Sequence, residues 1–240
     1  MTPAEWIETK LGLVPDKIQA LVLNTETSRG ILNCCRQWGK STVTAAKAVH
    51  EAYTVEGSLT IVVSPSARQS GEMVRKAAAF LTRLGIKPKG DGNNEISLQL
   101  PNGSRIIGLP ATEATVRGFS AVSMLLVDEA ARVGDNLYLA MRPMLAVSGG
   151  TVWLMSTPHG RRGFFWETWE TGGRGWERFR VKGEECPRIP AEFLAEERVA
   201  MGERRYLEEY GCEFAAPLDR LFDPADLEIF FSKDIEPLQL

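Results

Sequence analysis

Residues Cys34-Cys35-Arg36-Gln37-Trp38-Gly39-Lys40-Ser41-Thr42 follow a short apolar run, Gly30-Ile31-Leu32-Asn33. The Gly-Lys-Ser end is the end of the phosphate-binding pattern G-x-x-x-x-G-K-[ST]; Cys34 stands where that pattern has its first glycine. These residue types suit a polyphosphate. Gly39 lets backbone N–H groups close around a phosphate, Lys40 reaches the β- and γ-phosphates, and the Ser41 hydroxyl can ligate Mg²⁺. The stretch from Ser41 to Tyr53 is compatible with a helix, whose N-terminus favours an anion. A Gly-Lys-Ser triplet alone also fits a turn before an amphipathic helix; a strand before it and a helix after it favour a nucleotide site.

A second constellation completes the chemistry. Val122 to Val127 is an apolar run that ends in Asp128-Glu129. Such a run reads as a buried parallel strand. Two carboxylates at its end are costly to bury without a metal or a water-filled site. Asp128 would bind Mg²⁺ through its water shell, and Glu129 would polarise an attacking water as general base.

These groups need elements to hold them. Ile31–Cys34 reads as the strand before the loop, and Leu59–Ser64 as a second buried strand closed by Pro65. A helix is expected from about 69 to 84, with Met73, Ala77, Phe80 and Leu84 on one face. Ile96, Leu98 and Leu100 alternate with polar residues, and Asn102-Gly103 turns the chain into Arg105–Leu109, which predicts a β-hairpin. Thr151–Met155 is a further strand ending in Ser156-Thr157-Pro158. Strands alternating with helices predict an α/β fold with a mainly parallel central sheet flanked by helices. The expected division is an ATPase core over 1–186 and a small helical subdomain over 187–240. Two short helices over 190–210 break at Gly202, Pro190 suits a first helical turn, and the tail from Leu221 reads as the start of a linker.

Composition bounds the partners. The chain has 240 residues, 44% hydrophobic and 25% charged, as ordinary globular chains do. No run of 18 apolar residues is present, so no membrane-spanning helix is expected. Cys34, Cys35, Cys186 and Cys212 fit no zinc spacing and read as reduced thiols. The net charge of −3 is not that of a dedicated nucleic-acid binder, so any DNA contact must be local or supplied by an assembly. Residues 161–188 interleave arginines with Phe164, Phe165, Trp166, Trp169 and Trp176, but the glutamates among them nearly cancel the charge. That stretch reads as a solvated loop and strand over an aromatic cluster, with a DNA surface as the alternative.

In combination the motifs resemble the large terminase subunit of tailed bacteriophages, specifically its N-terminal packaging ATPase. Pro15-Asp16-Lys17-Ile18-Gln19 is similar to the family's upstream glutamine motif, from which Ile18 departs. Cys35–Thr42 resembles its variant phosphate loop, with the Arg-Gln pair Arg36-Gln37. Thr115–Ser120 resembles the Arg-Gly segment, Leu126–Ala130 the acidic motif, and Leu154–Pro158 the coupling motif.

The resemblance implies a P-loop NTPase of the ASCE or RecA-like kind. The nucleotide would be held by Gln37, Trp38, Gly39, Lys40, Ser41, Thr42 and Asp128, with Gln19 on the adenine. Arg36 would contact the γ-phosphate, Ser156 and Thr157 would couple hydrolysis to motion, and Arg117 would act as an arginine finger in a neighbouring subunit. Arg132 and Arg142 are alternatives for that finger. The implied cofactors are ATP and Mg²⁺. The implied partners are double-stranded DNA, a portal protein, a small terminase subunit and further copies in a ring, with the isolated chain a monomer and no membrane involved. The implied setting is the host cytoplasm, docked on a procapsid. The family's nuclease domain is expected to be absent from this chain. A helicase-like ATPase shares the Asp-Glu-Ala motif but needs a second lobe, and a nucleotide-gated assembly module without turnover is argued against by Glu129.

Overall fold

The computed structural model describes residues 1–112 and 118–216. Within them, seven strands form one sheet in the order β3-β4-β2-β5-β6-β1-β7. The strands are β1 (Arg29–Cys34), β2 (Leu59–Ser64), β3 (Ser97–Gln99), β4 (Arg105–Pro110), β5 (Met124–Asp128), β6 (Thr151–Ser156) and β7 (Glu177–Val181). All neighbouring pairs are parallel except β3 and β4, the hairpin read from Asn102-Gly103.

Strand side chains alternate between two apolar layers, as a period of two requires. Leu32, Val62, Leu126, Trp153 and Met155 face one layer. Ile31, Ile61, Val63, Leu125, Val127 and Leu154 face the other. Helices α1 (Pro3–Leu11), α2 (Lys17–Asn24), α3 (Lys40–Thr54) and α4 (Ala67–Arg83) contribute to the first layer. The buried positions of α3 include Ala45, Ala46, Ala48 and Ala52, small side chains that let the helix lie close to the sheet. Those of α4 are Ser70, Met73, Val74, Ala77, Phe80 and Leu81, the three-and-four spacing of one helix face. Helices α5 (Asp135–Met141) and α6 (Gly163–Thr171) cover the second layer. Helices α7 (Ala191–Met201) and α8 (Glu203–Glu209) flank Gly202, whose φ of +77° suits glycine. Leu194 of α7 and Tyr206 of α8 belong to the same apolar layer as α3.

Several elements differ from the sequence expectation. Residues 163–171 form α6 rather than a loop, and 177–181 extend the sheet beyond β1. Arg-rich β7 is an edge strand, so one side of it takes exposed charge while Phe179 and Val181 pack inward. Pro190 sits at the N-cap of α7, outside the first helical turn. Cys34, at the position of the pattern's first glycine, ends β1 as expected and is fully buried. All four cysteines are free and buried. The tail from Leu221 and the expected finger Arg117 lie outside the described residues.

Candidate functional site

Strand order brings the chemistry together. β6 lies between β5 and β1, and its register pairs Met155 with Asp128 on one side and Ser156 with Asn33 on the other. The carboxylate strand, the coupling strand and the strand entering the phosphate loop therefore end level with one another. Ligands of open α/β sheets bind at this carboxyl edge.

The loop from Cys35 to Gly39 is held at its base by distant backbone. Cys35 N–H donates to the Val181 carbonyl at 2.9 Å, and Arg36 N–H to the Glu209 carbonyl at 3.0 Å. Gln37 and Gly39 both take left-handed conformations, with φ of +62° and +100°. Gly39 caps α3 without any side-chain hydrogen bond, and with Thr42 N–H donating to the Gly39 carbonyl, the N–H groups of Lys40 and Ser41 are left for another acceptor. The Lys40 ammonium is buried and donates to the carbonyls of Cys34 at 2.7 Å and Cys35 at 3.0 Å. Ser41 Oγ lies 3.5 Å from Asp128 Oδ2.

Asp128 is 7% exposed. Burial, with the neighbouring Glu129 charge, pushes its carboxyl up to about 6, against an opposing pull from Lys40. Glu129 takes a left-handed φ of +50°, which aims the adjacent carboxylates in different directions. Asp128 faces Ser41; Glu129 meets Ser156 Oγ at 3.5 Å and Arg132 Nη1 at 2.7 Å. A buried carboxylate beside a serine hydroxyl, an uncapped helix start and a buried ammonium together fit a magnesium polyphosphate.

The phosphate loop, the start of α3 and Glu129 line a cleft of about 440 Å³, and Asp128 adjoins it through Ser41. Arg36, Gln37, Lys40, Ser41, Thr42 and Glu129 bound it, and Trp38 and Gly39 close its floor. The Trp38 side chain is fully buried, its indole N–H has no hydrogen-bond partner among the described residues, and its carbonyl takes part in the site. Gln19 Nε2 donates to that carbonyl at 3.0 Å, while Gln19 Oε1 accepts from Asp16 N–H at 3.0 Å. Gln19 is thus the third residue of a capping box on α2 as well as a wall of the cleft.

Ser156 and Thr157 are buried at the end of β6. Thr157 Oγ1 donates to Glu209 Oε2 at 3.1 Å. Arg132, one of the alternatives for a finger, pairs with Glu129 and Glu209 of its own chain. Arg142, the other, lines a separate cleft of about 730 Å³ with Arg29, Tyr138 and Trp176, near the strand starts of β1 and β6.

Three residues join the site that sequence patterns did not mark. Lys76 of α4 and Arg188 line the cleft, and Glu209 binds Thr157 and Arg132. Arg188 donates to the Trp38 carbonyl at 2.6 Å and to Asp16 Oδ2 at 2.9 Å. Each is one charged residue among many in a polar segment, and no local spacing distinguishes it. The Asp16-x-x-Gln19 capping box does carry a local signature.

Comparison with known proteins bears on the family and the fold. The curated "Terminase, large subunit" of Thermus virus P23-45 is 22% identical over 265 residues, covering 95% of this chain and 54% of that protein. The chain therefore spans about half the length of the curated relatives it matches. The solved Thermus Phage P74-26 Large Terminase ATPase domain superposes with a TM-score of 0.79 at 21% identity, over 90% of this chain and 100% of that one. The large terminase of another thermophilic bacteriophage, solved in complex with ADP, gives a TM-score of 0.72 at 11% identity, over 83% of this chain and 53% of that one. The fold is accordingly that of the terminase ATPase domains, a P-loop NTPase sheet. The family described as "Terminase large subunit, T4likevirus-type, N-terminal" matches residues 31–227, and the chain belongs to it.

Proposed function

We propose that this chain is the ATPase motor of a viral DNA-packaging terminase, hydrolysing Mg²⁺-ATP to drive double-stranded DNA into a procapsid. The observation that carries the reading is the meeting of Lys40, Ser41, Asp128 and Glu129 at one cleft, from segments far apart in sequence. The ADP seen with the thermophilic bacteriophage terminase supports the choice of nucleotide.

The roles follow from position. Backbone N–H groups at the start of α3 and the Lys40 ammonium bind and orient the phosphates. The Ser41 hydroxyl and the Asp128 carboxylate would hold Mg²⁺, which when bound would neutralise charge on the phosphates. Glu129 accepts a proton from the attacking water. Arg36 reaches the terminal phosphate, and Gln19 contacts the base. Ser156 and Thr157 pass the change at the phosphate to residues 187–216, which act as a lid on the 1–186 core. In the assembled motor, copies form a ring with a portal protein and a small terminase subunit in the host cytoplasm, and Arg117 reaches a neighbour's nucleotide.

Phosphate release and nucleotide binding test the reading. Glu129→Gln should bind Mg²⁺-ATP and lose about 10²–10⁴-fold in turnover. Lys40→Ala should weaken binding itself, because the phosphates lose their nearest cation. Turnover by Glu129→Gln equal to that of the unaltered chain would exclude the assignment.

A further inference from the structure

Glu209 ends α8, is 8% exposed, and touches three segments of the nucleotide site. Its carbonyl accepts Arg36 N–H of the phosphate loop at 3.0 Å. Its Oε2 accepts the Thr157 hydroxyl at 3.1 Å, and its Oε1 accepts Arg132 Nη2 at 3.2 Å. Glu208 beside it accepts Gly160 N–H at 2.9 Å, anchoring the same helix end to the segment after β6.

Burying a carboxylate is unfavourable unless it is paired and hydrogen-bonded. Glu209 meets that condition through Arg132, but Arg132 is shared. Its other nitrogen, Nη1, holds Glu129 Oε2 at 2.7 Å, the same oxygen that lies 3.5 Å from Ser156 Oγ. One guanidinium fork thus bridges two carboxylates, one on the acidic motif and one on the C-terminal helix pair. One of the two Glu129 oxygens is thus engaged by a charged donor.

We propose that Glu209 is a positioning residue for hydrolysis, drawing Arg132 off Glu129 so that the general base is free to meet water. The position of α8 then decides how the fork divides. With Glu209 close, Arg132 can give up Glu129 and remain paired; with Glu209 withdrawn, Glu129 is the partner left of its two ion pairs among the described residues, and the base is held. This rests on the reading of the cleft as an ATPase site. It gives the C-terminal helices a direct grip on the chemical step, through one side chain.

The test is single-turnover ATP hydrolysis together with equilibrium binding of Mg²⁺-ATP, on the unaltered chain and three variants. Glu209→Gln keeps the size and one acceptor but not the charge, so Arg132 stays on Glu129. Its rate should fall about tenfold or more while nucleotide affinity stays within about twofold, the pattern of a lost transition-state interaction. Arg132→Gln releases Glu129 and can still donate to Glu209, so it should hydrolyse at least as fast as the unaltered chain. Arg132→Gln combined with Glu209→Gln should recover to within about threefold of Arg132→Gln alone, because no cation remains to hold the base. A purely structural Glu209 predicts the reverse, since losing both partners would harm the fold further. Glu209→Gln at the unaltered rate, or a double variant as slow as Glu209→Gln, would overturn the proposal while leaving the ATPase reading intact. If Glu209→Gln does not fold, Arg132→Gln decides alone, and a slower rate than the unaltered chain overturns it. Absence of hydrolysis in the unaltered chain under conditions where copies assemble would overturn the ATPase reading and this inference together.

Discussion

Ser41 Oγ and Asp128 Oδ2 stand 3.5 Å apart, joining the first turn of α3 to the last residue of β5. In the sheet β6 separates β5 from β1, the strand that leads into α3, so the contact is made over the strand ends and not along the chain. It places a buried carboxylate against a neutral hydroxyl, with the Lys40 ammonium turned to the Cys34 and Cys35 carbonyls.

That arrangement makes Asp128 a pH-dependent burden on the metal-free protein. Its carboxyl is raised from an ordinary 3.8 to about 6. A raised acid favours folding fully below its unfolded value, and that contribution is lost as pH rises through its folded value. Asp128→Asn should therefore be more stable than the unaltered chain at pH 7.5, by about 1–3 kcal/mol, and equal to it near pH 4. Denaturant melts across that range without Mg²⁺ or nucleotide check this. The same variant should lose Mg²⁺-dependent nucleotide binding.

Gln19→Ala should lower stability by about 1–2 kcal/mol, through the capping box of α2 and the bond to the Trp38 carbonyl. Arg188 also donates to that carbonyl, which bounds the loss. Gln19→Glu should be worse than alanine, because it sets a second acceptor against the carbonyl. Urea midpoints of the two variants give the order, and alanine falling below glutamate would contradict it.

Gly30→Ala should destabilise by about 3 kcal/mol or more, as overpacking of a rigid core does. Gly30 pairs with Trp153 across β1 and β6, and a Cβ there would come within 2.3 Å of the indole ring. Trp153 is fully buried, so the ring has no room to retreat. A thermal midpoint unchanged by the substitution would show that the two strands pack differently.

Lys47→Met should cost about 1–3 kcal/mol although it replaces a charge with an apolar chain of similar length. Lys47 Nζ donates to the carbonyls of Val22 at 3.1 Å and Leu23 at 3.2 Å, which end α2, and lies 4.9 Å from the centre of the Trp153 ring. Cations are favourable at helix C-termini. Chemical denaturation at neutral pH measures the loss; a gain in stability would mean that desolvation of the ammonium outweighs these bonds.

Much of the sheet was legible because buried parallel strands are continuous apolar runs. Leu59–Ser64 and Thr151–Met155 show this, and Asn102-Gly103 gave away the hairpin. Edge strand β7 was legible only as a strand without bounds somewhere in 161–188, because Glu177-Arg178-Phe179-Arg180-Val181 alternates charge with apolar residues inside a stretch of interleaved charged and aromatic residues. The first two helices were not read from the sequence, although their caps carry a local signal. Thr2 with Glu5 and Asp16 with Gln19 both form capping boxes, while the helices themselves are short and weakly patterned. In the cleft, Lys40 and Asp128 belong to local motifs and could be read directly. Glu209 and Arg188 could not, since their meaning lies in partners that tertiary packing supplies.

The base of the phosphate loop has a consequence for how the chain acquires its cleft. Cys35 and Arg36 are stitched to Val181 and Glu209, and Asn33 Nδ2 donates to the Cys212 carbonyl at 2.9 Å. These closures span most of the described sequence, and loops of that length form late because their entropy must be overcome before the contacts exist. As the chain emerges during synthesis, the strand and helix around Lys40 are complete long before the segments that brace them have been made. Nucleotide affinity should thus appear abruptly, with arrival of residues near 212, and not grow as the loop itself is translated. A stalled or shortened product would carry the motif and not the grip.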